Sequence, residues 1–255
     1  YKMPTLITYP KVSILTPIYN RNEYLPLMIF NLQGFIYPDK TMIEWVIDDD
    51  GTDRLFNTQQ EIDLIQEQLQ GITINYTHYK KKRSIGEKRN NMVKKLAKYK
   101  HMAMMDSDDI YLPSYIQYSI EIMKKNQNSL VGSNQMIFVY PYHEWTITAI
   151  KCQSKRQIHE ATMVFTKRHW QSMGGFLKNS QGEGAGMVDF NDNKCGLTDI
   201  QYVMICVCHK TNTVKKDQFL RADGSNTIDG KLSEKVKFIL NECIQVGHLA
   251  NGPMR

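Results

Sequence analysis

Residues 101–109 read HMAMMDSDD, a short apolar segment that is followed at once by three carboxylates. The apolar half has the length and composition of a buried strand. Two similar junctions precede it, because residues 11–21 read KVSILTPIYNR and residues 42–53 read MIEWVIDDDGTD. In each junction an apolar run ends in polar or acidic residues. We therefore predict several buried strands that end at one polar edge.

Helical patterns lie between these strands. A T-x-x-E capping box at residues 58–61 predicts a helix to about residue 69, and an S-x-x-E box at residues 84–87 opens another. A helix over residues 22–32 and a strand at residues 72–77 complete the alternation. Strands and helices that alternate at this spacing predict βαβ units and a parallel sheet with helices on both faces. A ligand would then bind beyond the carboxyl ends of the strands.

The second half of the chain is less regular and contains no repeat. Residues 180–193 are rich in Gly, Asp and Asn without periodicity, which predicts a long functional loop. We predict one α/β domain over residues 1–255, with a mostly parallel, Rossmann-like central sheet flanked by helices and a smaller mixed sheet. Further predicted elements are a hairpin of residues 130–140 and 144–150 around Pro141, strands at residues 161–166 and 201–208, a helix from Pro113 to about residue 125, and a terminal helix at residues 232–246.

Composition excludes several classes of protein. The 255 residues are 42% apolar and 23% charged, which is typical of a globular protein and not of a disordered chain or a coiled coil. No apolar run reaches the roughly 18 residues of a transmembrane segment. The net charge of +6 fits an anionic ligand but lacks the basic stripe of a nucleic-acid-binding protein. The chain begins YKMP, without an initiator methionine or a signal peptide, which favours a domain of a longer chain.

The five cysteines predict neither a disulfide framework nor a zinc site. They are odd in number and scattered, and no second close pair accompanies Cys206 and Cys208. Free cysteine is often buried. We therefore predict buried thiols in a reducing compartment, which favours a cytoplasmic protein.

Asp106 and Asp108 point to a metal site. Residues two apart in an extended segment share a face, so these carboxylates would repel each other unless a cation lies between them. Mg²⁺ and Mn²⁺ prefer carboxylate oxygens and share their other positions with substrate phosphates. A D-x-D pattern also occurs in surface turns and helix caps. Because a buried strand precedes the D-x-D pattern of this chain, we favour the interpretation as a metal site.

Asp48, Asp49 and Asp50 also follow a strand. Three adjacent acids repel one another, so we expect at least one of them to accept a hydrogen bond. A nucleobase N–H is one candidate donor, and a turn built on Asp50 and Gly51 is the alternative interpretation.

A basic segment, KKKR at residues 80–83, leads into the helix that carries Lys88 and Arg89. Cations near a helix N-terminus favour phosphate binding. The alternative is a solvated run of charge.

Four motifs in this order resemble the nucleotide-sugar half of inverting glycosyltransferases that have the GT-A fold, of the family-2 type. They are VSILTPIYNR at residues 12–21, VIDDDGTD at residues 46–53, IGEKRN at residues 85–90 and MDSDD at residues 105–109. The resemblance implies a donor-binding half over about residues 10–110, and an acceptor and catalytic half over about residues 111–255. It implies transfer of a sugar, with inversion, from a nucleotide sugar to a hydroxyl of a glycan or glycoconjugate.

The resemblance also implies a role for each matching residue. Asp49 or Asp50 would bind the base, and because such acids recognise uracil in the family, the expected donor is a UDP-sugar. Asp106 and Asp108 would hold Mn²⁺ or Mg²⁺ and the diphosphate, and His209 resembles the late histidine that GT-A enzymes often add to this site. The other residues expected at the nucleotide sugar are Thr16, Pro17, Tyr19, Arg21, Arg89, Asn90, Ser107 and Glu160.

The general base is expected in the second half. Residues 174–176 read GGF and resemble a turn of the family's acceptor side, after which a Glu-Asp pair usually supplies the base. Here that place reads Gly182-Glu183-Gly184, without the second acid. Glu183 is therefore the predicted base, and the alternatives are Asp189, Asp192 and Asp199.

Two other functions stay open at this point. A nucleotide-sugar-binding protein with little transfer activity would fit the missing acid. A nucleotidyltransferase on a related fold would share the sheet, but such enzymes usually have a Gly-rich phosphate loop after the first strand, and residues 16–21 contain no glycine.

Overall fold

The strands of the chain form two sheets. A computed structural model describes residues 8–152, 154, 157–188, 194–221 and 223–250, with side chains as far as Ile244. In these residues the strands are β1 (Val12–Ile18), β2 (Ile43–Asp49), β3 (Thr73–His78), β4 (His101–Met104), β5 (Ile110–Tyr111), β6 (Leu130–Gly132), β7 (Gln135–Tyr140), β8 (Thr146–Lys151), β9 (Val164–Thr166), β10 (Cys195–Leu197) and β11 (Met204–Val207).

The central sheet has the strand order β10-β6-β9-β4-β1-β2-β3. Its strands β1 to β4 run parallel, as the βαβ pattern predicts. β9 is antiparallel to both of its neighbours, β4 and β6. Because of this reversal, the amino end of β9 lies at the same edge as the carboxyl ends of β1, β2 and β4. Residues that precede β9 therefore meet residues that follow the other strands.

The second sheet is smaller and mixed, with the order β5-β11-β7-β8. β7 is parallel to β11 and antiparallel to β8. The two sheets share apolar side chains, since Trp45 of the central sheet and Phe138 of the smaller sheet belong to one buried cluster.

Two of the helices begin at the caps that the sequence predicts. Thr58 Oγ1 accepts the backbone N–H of Glu61 at 3.2 Å, and Ser84 and Glu87 form the complete reciprocal capping box. The helices are α1 (Leu25–Gly34), α2 (Gln59–Gln68), α3 (Ile85–Asn91), α4 (Tyr115–Asn126), α5 (Lys167–Met173) and α6 (Glu234–Ala250), and a π-helical turn, Met92–Leu96, continues α3.

The central strands are buried on both faces. Ile14 packs in the cluster on one face and Leu15 in the cluster on the other, as in parallel sheets that helices cover on both sides. In the described part of the chain, no helix is long and apolar enough to cross a bilayer. Cys152, Cys206, Cys208 and Cys243 have free thiols, and the last three of these are buried.

The structure corrects the predicted hairpin of residues 130–140 and 144–150. Its first segment is two strands, β6 in the central sheet and β7 in the smaller one, and only β7 pairs with β8. The chain changes sheets at Ser133, whose backbone N–H donates to Thr162 Oγ1 at 2.8 Å. A continuous apolar pattern does not reveal this change, because both strands are buried.

Candidate active site

A cleft at the carboxyl edge of the central sheet consists of two adjoining cavities, of about 270 and 330 Å³. Asp106 and Asp108 line both of them, so the D-x-D motif lies at their boundary. We call the cavity that contains Pro17 and Tyr19 the basic cavity, and the one that contains Glu183 the acidic cavity. The polar edge that the sequence predicts is therefore present as a cleft.

The basic cavity is rich in cations. Arg21, Lys82, Arg83 and Lys88 line it, and Lys82 Nζ lies 3.7 Å from the centroid of the Tyr19 ring. Such a wall attracts a phosphate-bearing ligand. The residues of the first motif divide here: Pro17, Tyr19 and Arg21 line the cavity, whereas Thr16 is fully buried and accepts a hydrogen bond from Trp45 Nε1. Ser107 also lines this cavity.

The structure gives Asp49 and Asp50 partners inside the protein. Asp49 accepts the backbone N–H groups of Gly51 at 2.8 Å and Leu55 at 3.0 Å. Asp50 accepts Lys88 Nζ at 2.7 Å. Both acids are buried, and neither lines the basic cavity. Donors of the protein itself thus relieve the repulsion among the adjacent acids, and the expected contact of Asp49 or Asp50 with the base stays a prediction.

Asp108 of the D-x-D motif lies beside His209, which comes from the second half of the chain. His209 Nε2 lies 3.0 Å from Asp108 Oδ2, and Arg21 Nε lies 3.8 Å from the same oxygen. The imidazole packs against the Tyr24 ring at a centroid distance of 5.1 Å. Burial alone would raise the pKa of Asp108, but the hydrogen bond and charge of His209, with Lys216 and Arg21, hold that pKa below its ordinary value. Asp108 is therefore an ionised carboxylate beside an imidazole.

Arg89 connects the D-x-D motif with the predicted base. Its guanidinium lies 2.9 Å from Asp106 Oδ1 and 2.7 Å from Glu183 Oε1. Burial raises the pKa of Glu183, and Arg89 opposes that rise. Glu183 begins a short 3₁₀ helix, Glu183–Met187, within the predicted loop. Arg89 lines the acidic cavity and not the basic one, so it does not lie where a nucleotide contact was expected.

Glu160 reaches the same cavity from the amino side of β9. Its Oε1 accepts the backbone N–H of Gly184 at 3.1 Å. A Cβ atom at position 184 would lie 2.3 Å from Glu160 Cγ, so only glycine fits this approach. The position at which the family usually has a second acid is thus occupied by a residue without a side chain, and Glu160 fills the space.

The remaining predicted residues lie elsewhere. Asn90 turns its amide to the GGF turn, and Asp199 is exposed at the start of a 3₁₀ turn. Asp189 and Asp192 lie outside the described residues. The sequence analysis missed Lys216, which lines the acidic cavity 3.8 Å from Asp109 Oδ1 and 2.6 Å from Cys206 Sγ. No motif marks this lysine, because it reaches the site from an irregular segment.

A family model confirms the assignment that the motifs suggest. The model for glycosyl transferase family 2 matches residues 13–187, which is more than half of the chain. The chain belongs to glycosyl transferase family 2. It is a glycosyltransferase with the GT-A fold. A search of curated protein sequences gives no significant match.

Solved structures of other glycosyltransferases share this fold. S. aureus TarS residues 1–349, in complex with UDP-GlcNAc, matches with a TM-score of 0.60 and 18% identity over 91% of this chain and 71% of that one. The mannosyltransferase PcManGT of Pyrobaculum calidifontis, in complex with GDP-Man and Mn²⁺, matches with a TM-score of 0.61 and 14% identity over 99% of this chain and 80% of that one. At these identities the likeness concerns the fold.

Gly184→Ala in this glycosyltransferase should reduce transfer more than it reduces donor binding. The added methyl group would push Glu160 away from the Gly184 N–H and disturb the turn that holds Glu183. Overpacking of this kind costs about 1–3 kcal/mol of stability. Turnover, donor titration and the melting temperature check the prediction, with Gly34→Ala as the control, because a Cβ atom at position 34 has no atom within 4 Å. Equal effects of the two substitutions would contradict it.

Proposed function

We propose that this glycosyltransferase uses Mn²⁺ or Mg²⁺ and a nucleotide sugar, expected to be a UDP-sugar, and that it transfers the sugar with inversion to a hydroxyl of a glycan or glycoconjugate. The observation that carries the proposal is the divided cleft. Asp106 and Asp108 separate a cavity lined by cations from a cavity that has the buried carboxylate of Glu183 in its wall. A donor diphosphate and a general base would thus lie on opposite sides of one acidic motif.

The basic cavity would bind the nucleotide. The ring of Tyr19 and the apolar face of Pro17 offer a surface for a base, and Arg21 and Lys82 offer charge to a diphosphate. The TarS structure is a complex with UDP-GlcNAc and the PcManGT structure a complex with GDP-Man, so the shared fold is compatible with either base. UDP is retained from the resemblance of the motifs, which implies that Asp49 or Asp50 binds the base.

The side chains of Asp108 and His209 are suitable ligands for a divalent cation. Carboxylate and imidazole are ligands that Mn²⁺ accepts, and the two groups already lie within 3.0 Å of each other. Within the described ranges no three His, Cys, Asp or Glu side chains form a ready metal cluster. One or two protein ligands with substrate phosphates are a usual arrangement for such ions. When bound, the ion would neutralise charge on the departing diphosphate.

The acidic cavity would bind the acceptor. Glu183, held in its ionised form by Arg89, would accept the proton of the attacking hydroxyl. A single displacement at the anomeric carbon inverts its configuration. A positioned base of this kind contributes about 10²–10⁴-fold to the rate. Arg89 and the backbone N–H of Gly184 would keep the two carboxylates, Glu183 and Glu160, in fixed positions.

A thermal-stability screen with UDP-, GDP- and dTDP-sugars, with and without Mn²⁺, tests the donor. A ligand at 100 times its Kd stabilises a protein by about 2.7 kcal/mol. For a chain of this size that corresponds to a shift of roughly 5–10 °C in Tm. We expect such a shift with a UDP-sugar and Mn²⁺ together. A larger shift with a GDP-sugar would change the assigned donor, and no shift with any of them would contradict nucleotide-sugar binding.

A nucleotide-sugar-binding protein without transfer is less well supported. That alternative was based on the missing second acid after Glu183. The close approach of Glu160 to Gly184 explains why a side chain is absent at that position. Release of UDP from the donor, measured with Mn²⁺ and without acceptor, separates the two functions, because slow hydrolysis requires working chemistry.

A further inference from the structure

One face of α3 contacts the segment that carries Glu183. Gly86, Arg89 and Asn90 are three and four residues apart, so they lie on the same side of the helix. The IGEKRN motif to which they belong was expected to serve the nucleotide. In the structure each of the three instead contacts residues between 170 and 183.

Gly86 allows the closest approach. Its backbone N–H donates to Asn179 O at 2.9 Å, and a Cβ atom at position 86 would lie 1.8 Å from Leu177 O. The neighbouring Ile85 N–H donates to Ser180 Oγ at 3.2 Å. The backbone just before Glu183 therefore lies directly on the first turn of α3.

Asn90 holds the GGF turn. Its Oδ1 accepts the backbone N–H of Phe176 at 2.9 Å and the Trp170 indole N–H at 2.8 Å, and its Nδ2 donates to Phe176 O at 2.8 Å. One amide thus satisfies three groups of the acceptor side. A nucleotide would have to break these bonds to reach the Asn90 side chain.

Arg89 makes the contact with the reactive group. It is 2% exposed, and its guanidinium joins Glu183 Oε1 at 2.7 Å to Asp106 Oδ1 at 2.9 Å. Leu177, which lies on Gly86, donates its backbone N–H to Glu183 O at 2.9 Å, so the backbone and the side chain of Glu183 are both fixed from α3. The carboxylates of Glu160 and Asp106 are also near Glu183.

We propose that α3 positions the general base, and that Arg89 is a positioning residue which acts on turnover through Glu183 and does not bind the nucleotide. The inference rests on the proposed role of Glu183. Without Arg89, the carboxylates of Glu183, Asp106 and Glu160 would share one cavity. Among the described residues that line it, the other Lys or Arg side chain is Lys216, which lies beside Asp109. The repulsion among the three carboxylates would move Glu183 from its place, and a displacement of about 1 Å in a catalytic group can cost 10²-fold in rate.

A double-mutant cycle with Arg89→Lys and Glu183→Gln tests the proposal. Lysine keeps the charge but loses the planar fork that reaches two carboxylates at once. We expect Arg89→Lys to lower kcat by about tenfold or more, with the KM of the donor changed by less than about threefold. In the double variant, Arg89→Lys should have almost no further effect, because the group through which it acts is gone. Arg168→Lys, at an exposed position on α5, is the matched control.

The outcomes separate this inference from the proposed function. If the losses in kcat of the two single variants multiply in the double variant, the positioning role is overturned. A raised donor KM with an unchanged kcat would also overturn it and would make Arg89 a nucleotide contact. Full activity of Glu183→Gln would overturn the base itself and the inference with it. Arg89→Gln provides a second variant if Arg89→Lys fails to fold, because glutamine can still donate to one of the two carboxylates. It should lower kcat with the KM of the donor changed by less than about threefold, and a raised donor KM with an unchanged kcat would overturn the positioning role.

Discussion

Glu183→Gln is expected to reduce transfer by about 10²-fold or more while the affinity for the donor stays nearly unchanged. Glutamine keeps the size of the side chain and can still accept a hydrogen bond from Arg89, but it cannot take a proton from the acceptor. Single-turnover transfer and donor titration measure the two effects separately. Glu67→Gln, an exposed position on α2, is the control. Lost donor affinity with preserved transfer at saturation would mean that Glu183 binds the sugar.

The pH profile gives an independent check of the same residue. Burial raises the pKa of Glu183 above its ordinary value near 4.3, Arg89 opposes the rise, and Glu160 and Asp106 add to it. A base must be deprotonated, so activity should fall as the pH falls through this raised pKa. We expect kcat/KM of the native enzyme to decrease at low pH, with a midpoint above pH 4.3. The Glu183→Gln variant should lack this acidic limb of the pH profile. An identical limb in both proteins would assign it to another group.

Asp108→Asn should abolish the Mn²⁺-dependent part of UDP binding. Substitution of groups that only orient a metal ligand typically costs 10–100-fold in affinity, so loss of a direct ligand should cost about 100-fold or more. His209→Ala should act in the same direction, because His209 lies 3.0 Å from Asp108. Titration of UDP with and without Mn²⁺ measures both variants, and the exposed Asp229→Asn is the control. Mn²⁺-dependent binding that survives in Asp108→Asn would exclude Asp108 as a ligand.

The donor half could be predicted because its signals are local. Apolar strands and capping boxes lie within ten residues of the structures they specify, and the capping boxes at Thr58 and Ser84 begin α2 and α3 as expected. The D-x-D motif is local in the same sense, since a strand and the turn that follows it decide where Asp106 and Asp108 lie.

The acceptor half could not be predicted as well, because its structure depends on distant partners. Nothing within the IGEKRN motif indicates that Arg89 will be buried, since its partner Glu183 is supplied by the second half of the chain. The same holds for Asp49, whose backbone donors lie in a turn that has no regular pattern. The acidic cavity likewise depends on β9, which runs antiparallel to β4 and β6 and thereby brings Glu160 to this edge of the sheet.

The pairing of β4 with the later strand β9 affects how the protein folds while it is being synthesised. During synthesis, at about 5–20 residues per second, the strands β1 to β4 leave the ribosome first and can pair with one another. The outer edge of β4 then has no partner until Val164–Thr166 has been synthesised. An unpaired edge is a template for pairing with other chains. Over that interval the first half of the chain exposes an unpaired edge of β4. Recombinant truncations that stop between β4 and β9 should therefore aggregate under conditions in which the longer chain stays in solution.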